Sequence, residues 1–129
     1  MATTTAHDTQ TARTLAVVQQ VEEAVNRHDV EAVLALMTED CVFENTFPAP
    51  DGTRHEGRAA VRTAFADLFR SSPRASFDRE DCFACGERAT VRWRYHWIDA
   101  DGTPGHVRGT DILRLRDGKL VEMLSYVKG

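Results

Sequence analysis

The chain has 129 residues, 42% of them hydrophobic and 28% charged, with a formal net charge of −4. That is the length of one domain with a single core and a small pocket, and it excludes a chain drawn as a whole to nucleic acid or anionic lipid. Three cysteines, Cys41, Cys82 and Cys85, make no disulfide framework, and no apolar run approaches the ~18 residues of a membrane span.

Met1 to Ala12 is Thr-rich and polar, without an apolar run. It reads as a frayed, disordered tail rather than a signal peptide, leaving residues 13–129 as the domain and a cytoplasmic location as the default expectation. Thr14 to His28 carries Leu15, Val17, Val18, Val21, Ala24 and Val25 at helical spacing. Asp29 is a predicted N-cap for a short second helix with Val30, Val33, Leu34 and Met37 on one side. Cys41 to Asn45 reads as a strand, Pro48, Pro50 and Asp51-Gly52 mark a turn, and Thr53 to Glu56 reads as a short returning arm. A third helix is predicted over Ala59 to Arg70, burying Val61, Phe65, Leu68 and Phe69 and stopped by Ser71-Ser72-Pro73. Strands follow. Ala75 to Ala84 alternates weakly; Arg88 to Ile98 alternates clearly, with Ala89, Val91, Trp93, Tyr95 and Trp97 on one face. His106 to Arg116 and Lys119 to Val127 flank a hairpin turn at Asp117-Gly118. Helices first and antiparallel strands after predict an α+β fold, a cone-shaped curved antiparallel sheet whose three helices enclose a pocket.

Asp111 breaks the pattern. In its strand Val107, Gly109, Asp111, Leu113 and Leu115 share one face, and Arg108, Thr110, Ile112 and Arg114 share the other. Asp111 is therefore predicted to point inward with the leucines. A buried carboxylate without a partner costs several kcal/mol or takes up a proton. A raised pKa suits proton transfer, and a neutral acid can donate a hydrogen bond.

The stretches VVQQVEEAVNRHDVEAVLALMTEDCVFEN, GRAAVRTAFADLF and RGTDILRLRDGKLVEMLSYVKG occur in an order and spacing that resembles the nuclear transport factor 2-like superfamily, within its SnoaL-like domain group. They match that family's opening helices and first strand, its third helix and its closing hairpin. The resemblance implies a cystatin-like α+β barrel and, in this superfamily, ketosteroid isomerases, limonene epoxide hydrolases, polyketide cyclases or binding proteins without catalysis. Asp111 falls on the carboxylate that recurs in all three enzyme groups. It resembles the general base of the cyclases and the protonated oxyanion-hole acid of the isomerases. The helpers differ: the isomerase base falls at Asn45 and its tyrosine at Val21, while the hydrolase arginine falls at Gly109 and its second acid at Ser125. The resemblance thus implies a cofactor-independent cyclase or isomerase, of lyase or isomerase type, moving a proton on a hydrophobic carbonyl compound that is polyketide- or steroid-like. Its alternative is a non-catalytic binding or accessory module using the same pocket. It also implies a homodimer through the sheet.

Each candidate has a plainer reading. Asp111 would be catalytic, or would only anchor the pocket through a Tyr, Trp or Ser. Asn45, on the face of Phe43 if the strand alternates, would orient a carbonyl oxygen, or simply end the strand. Ser125 and Met123 share parity and would reach the same interior. Trp93, Tyr95 and Trp97, with Phe43 and Phe65, would wall an aromatic pocket or only build the core. Glu44 has the outer or rim facing, as do His96 and His106. Cys82 and Cys85 form a CxxC, but on a strand the two thiols face opposite ways and no second ligand pair follows, so no metal is expected. Arg92, Arg94, Arg108, Arg114 and Arg116 make a basic outer face away from the aromatics, which reads as a solvated face or a dimer surface with acidic partners such as Asp78 and Glu80, not a nucleic-acid platform.

Overall fold

The computed structural model describes residues 6–129. Its elements are α1 (Ala6–Asn26), α2 (Val30–Ala35), β1 (Met37–Glu44), β2 (Arg54–Glu56), α3 (Arg58–Ser71), β3 (Ala75–Cys85), β4 (Arg88–Ile98), β5 (Pro104–Arg116) and β6 (Lys119–Val127). The six strands form one sheet in the order β2-β1-β6-β5-β4-β3. The hairpins β3–β4, β4–β5 and β5–β6 are antiparallel, as short connections require. The sheet departs from the all-antiparallel expectation at one place: β1 runs parallel to β6. These strands are far apart in the chain, so no hairpin constrains their direction. The sheet is curved and open, with β2 and β3 as its edges, rather than a closed barrel.

The first helix starts earlier than its apolar stripe. Residues 6–12, expected as part of a frayed tail, are helical, and Met1 to Thr5 lie outside the described residues. The cause is polar. The Gly86 backbone N–H donates to Thr11 Oγ1 at 2.8 Å, and Thr14 Oγ1 donates to the Gly86 carbonyl at 2.6 Å. Two threonines thus fasten α1 to the β3–β4 turn, where an apolar count sees nothing. At its other end His28 adopts φ 56°, a left-handed stop. Asp29 caps α2 as predicted, its side chain accepting from the Ala32 N–H at 3.0 Å. Met37, expected on α2, instead opens β1.

Helices cover one face of the sheet, α1 against β3 and β4 and α3 against β1 and β2. Val18, Val33, Leu34, Met37, Val61, Phe65 and Leu120 are among the largest fully buried side chains. The weak alternation of β3 has a specific origin. Pairing with β4 slips between Arg79 and Asp81, so Phe77 packs inward before the bulge and Cys82 and Ala84 after it. Cys85 is exposed on the opposite face from Cys82, whose thiol pKa burial pushes up. Among the described residues no group of His, Cys, Asp and Glu is placed to hold a metal ion, and no helix is long and apolar enough to cross a membrane.

Candidate functional site

The strand register builds the site. Asp111 on β5 stands level with Val91 on β4 and with Ser125 on β6. One row along, Leu113 lies between Ala89 and Met123. Leu113 is 3% exposed and Ile112 is 38% exposed, so the alternation read from the sequence holds and Asp111 faces in. Asp111 retains some accessible surface, and that surface opens onto a cavity between the sheet and the helices.

The cavity is apolar. About 60 Å3 is open to the centres of water molecules. Val18, Val21 and Val25 of α1 close it from above, and Phe65 and Leu68 of α3 from one side. Phe43 stacks on Phe65 with ring centroids 4.5 Å apart, and Phe77 meets Trp93 edge-on at 5.0 Å. Phe77 is held by its backbone: Asn26 Nδ2 donates to its carbonyl at 2.9 Å, and its N–H donates to Asn26 Oδ1 at 2.8 Å.

Four polar side chains bear on this space. Ser125 Oγ donates to Asp111 Oδ1 at 2.6 Å. Trp93 Nε1–H lies close enough to the carboxyl to favour its ionised form, but the geometry is not that of a hydrogen bond. Burial outweighs both and pushes the Asp111 pKa up to about 6, and the negative charge of Glu22 adds to the rise. Glu22 lies on the cavity wall because it sits on the apolar stripe of α1, with Val18, Val21 and Val25 at helical spacing. Its carboxylate is gripped by both Nε and Nη2 of Arg79 from β3. Glu22 and Phe77 also line an adjoining surface groove with Arg79 and Asn26, so the cavity meets solvent between α1 and β3.

Of the residues expected at the pocket, Phe43, Phe65, Trp93, Asp111, Met123 and Ser125 come together there. Three lie elsewhere. Asn45 falls just past the end of β1, and its Oδ1 accepts from the Thr53 N–H at 2.8 Å and from the Phe47 N–H at 3.3 Å. It folds the β1–β2 loop instead of facing the cavity. Tyr95 is one row nearer the sheet end and stacks on Phe77 at 4.4 Å. Trp97 lies further out, over Gly105, where a Cβ would come within 2.5 Å of its ring. Glu44 pairs with Arg54 at 3.6 Å, and His96 with Asp78 at 3.0 Å. The acidic partners of the basic outer face belong to the same chain: Arg108 pairs with Glu80, and Arg116 with Asp40. Glu22 and Phe77 were not anticipated. Helical spacing alone would have found Glu22; the β3 bulge hid Phe77.

Residues 17–123 match the model of the family described as SnoaL-like domain. The chain belongs to that family. No curated protein matches this SnoaL-like chain. Among solved structures it is similar to an NTF2-like protein of unknown function from Mesorhizobium loti, 41% identical over 93% of this chain and 94% of the other, with a TM-score of 0.79. It is also similar to a putative polyketide cyclase from Xanthomonas campestris pv. campestris, 26% identical over 92% and 93% of the two chains, TM-score 0.75. A Mycobacterium tuberculosis protein in complex with estradiol-17β-hemisuccinate is 25% identical over 88% and 92%, TM-score 0.75. In this SnoaL-like domain Gly109, where a hydrolase arginine would stand, has a local reason. A Cβ there would lie 2.6 Å from the Trp93 ring and 2.3 Å from the Tyr126 carbonyl oxygen. The glycine lets Trp93 lie across β5 beside Asp111.

Proposed function

We propose that this SnoaL-like protein is a cofactor-independent enzyme of the cyclase or isomerase type that moves a proton next to the carbonyl of a small hydrophobic compound, with Asp111 as acid and base. The observation that carries the reading is an inward carboxyl in an apolar cavity, with its pKa pushed up to about 6. Such a group is divided between base and acid near neutrality, which is where proton transfer in both directions is efficient. Ser125 occupies Oδ1, so Oδ2 would take the proton from the carbon beside the carbonyl. The electron pair moves onto the carbonyl oxygen as an enolate. Return of the proton to another carbon gives an isomer. Attack of the enolate carbon on a second carbonyl closes a ring, and Asp111 then gives its proton to the new alkoxide.

The similar polyketide cyclase and the steroid-ester complex support a polyketide- or steroid-like class of ligand. The cavity is small for a whole polycycle, so one ring would enter and the remainder would lie toward the groove at Glu22 and Phe77. A second reading is a binding or accessory module with Asp111 as an anchor. It is favoured by one observation: the other carboxylate on the wall, Glu22, is already taken by Arg79.

The test is solvent deuterium uptake at the carbon beside the carbonyl of cyclohex-2-enone. Uptake faster than in buffer, and lost in Asp111→Asn, supports the enzyme. Uptake at the buffer rate favours the module, and uptake retained in Asp111→Asn removes Asp111 as the base.

The proposed assembly is a homodimer through the outer sheet face. Phe83, Thr90, Ile112 and Leu124 form one row across it, with Phe83 63% exposed. The proposed location remains the cytoplasm.

A further inference from the structure

Alone among the described residues, Phe77 lines three spaces at once: the cavity at Asp111, the surface groove at Glu22 and Arg79, and a narrow cleft behind it. The cleft is walled by His28, Phe69, Ala75 and Tyr95, and as it stands it has no room for a water molecule. Val25 and Leu68 also stand between cavity and cleft, but the ring of Phe77 meets both sides. It touches Trp93, a cavity wall, edge-on at 5.0 Å, and it stacks on Tyr95, a cleft wall, at 4.4 Å. The Asn26 amide holds both backbone polar groups of Phe77, at 2.8 and 2.9 Å, so the residue is fixed to α1 as well as to its own strand. The far wall of the cleft is fixed separately. His28 stacks on Phe69 with ring centroids 4.6 Å apart, and its Nε2–H donates to the Ala75 carbonyl at 3.1 Å.

We propose that Phe77 is the specificity-determining residue of this site: it limits the buried part of a ligand to one ring and sends the remainder out through the groove between α1 and β3. The inference rests on reading the cavity as a substrate site, and it names the ligands that site buries whole. Size follows from the 60 Å3 open to water centres. At about 10–15 Å3 per water by that measure, the space matches roughly four to six waters, or a ring of about six heavy atoms. Direction follows from the walls. On the cleft side Phe77 fills the space that a second ring would need, and on the groove side a second ring would stay in water. A ring-sized side chain is what separates cavity from cleft, so its loss vacates about the volume of one ring. The vacated space would persist, because the surrounding walls keep their own contacts and packed interiors collapse only partly around a lost side chain. The native site therefore buries monocyclic carbonyl compounds, with or without a chain that leaves by the groove, and leaves fused polycyclic ones half in water.

The experiment titrates the intact protein with cyclohex-2-enone and with octalone, a fused bicyclic enone that carries the same reactive ring. Binding is followed by the methyl signal of Met123 on the cavity wall. Octalone is expected to bind the wild type no more than about threefold tighter than cyclohexenone, since its second ring gains little burial. In Phe77→Ala the affinity of octalone relative to cyclohexenone should rise by roughly tenfold or more, the worth of about two newly buried methylenes. Phe77→Leu, which keeps apolar bulk without the ring, should give a smaller rise in the same direction. A merely structural role for Phe77 would weaken both probes together and leave their ratio alone. A wild type that already favours octalone by about tenfold, or a ratio unchanged in both variants, overturns the proposal. So does failure of cyclohexenone to bind the wild type. If Phe77→Ala does not fold, the wild-type ratio and Phe77→Leu decide. Because the readout is binding, the outcome separates from that of the deuterium assay. A changed ratio without deuterium uptake keeps Phe77 as the size filter of a binding module, and uptake with an unchanged ratio removes Phe77 alone.

Discussion

Replacing Asp111 with asparagine should remove a loss of stability that the wild type suffers as pH rises through the acid range, by an amount that depends on pH in a defined way. The folded-state pKa is about 6, against an ordinary 3.8. At 1.36 kcal/mol per pH unit this displacement corresponds to about 3 kcal/mol. The sign follows from proton binding. Below pH 3.8 the carboxyl is protonated in both states and contributes no pH-dependent term. Between 3.8 and about 6 the unfolded chain ionises while the folded one keeps its proton, so stability falls as pH rises. Above 6 the whole penalty is present. Asparagine has no such titration, and its Oδ1 can still accept from Ser125 Oγ. Urea unfolding of both proteins from pH 3.5 to 8 measures the difference directly, and other titrating groups cancel to first order. Stability of Asp111→Asn minus that of the wild type should rise by about 3 kcal/mol across this range, with most of the rise between pH 4 and 6. The constant offset from the new amide is immaterial, because only the pH dependence is predicted. A flat difference would falsify the buried-acid argument, and a difference that falls with pH would show a carboxylate stabilised by the fold.

Ser125→Ala removes the hydrogen bond that favours the ionised carboxyl, so the Asp111 titration followed by 13C NMR should move above 6; Glu22→Gln removes a nearby negative charge and should move it below. Shifts of the same sign in the two variants would contradict the stated causes. Gly109→Ala should cost about 1–3 kcal/mol in urea unfolding, the range for overpacking, because the new methyl meets the Tyr126 carbonyl as well as the Trp93 ring; an unchanged midpoint would mean that the ring does not lie where described. If the outer sheet face holds a dimer, Phe83→Glu should halve the mass seen by light scattering without shifting the unfolding of the monomer, whereas an equal mass for both proteins would remove that face from the assembly.

Most of the fold was legible because it rests on period. β4 and β6 begin and end where alternation and turn residues put them, and Asp29 caps α2 because its chemistry is local. Legibility failed where a contact was made by groups without a periodic signature. Thr11 and Thr14 extend α1 through Gly86, seventy-odd positions away. The β3 bulge switches which parity faces inward, so Phe77 and Cys82 reach the same side from positions that simple alternation assigns to opposite faces. Asn45 shows the reverse error. Parity placed it with Phe43, but β1 ends at Glu44, and beyond a strand's end parity has no meaning.

The two carboxylates on the cavity show why an acid in an apolar row is a starting point and not a function. Glu22 and Asp111 both break an apolar periodicity, one on a helix and one on a strand, and both reach the same space. What separates them is the partner each receives. Glu22 receives a guanidinium, whose two hydrogen bonds offset the cost of its burial. Asp111 receives a serine hydroxyl, which can satisfy one oxygen but cannot neutralise a charge, and its pKa rises accordingly. Had the arginine at the hydrolase position been present in place of Gly109, it would have held Asp111 ionised and would have left no room for Trp93. The glycine therefore does two things together: it denies Asp111 a counter-ion, and it admits the Trp93 indole, whose N–H lies beside the carboxyl and favours its ionised form. A titratable acid with an indole N–H beside it is the outcome of that one small residue, and the protonation of Asp111 depends on both.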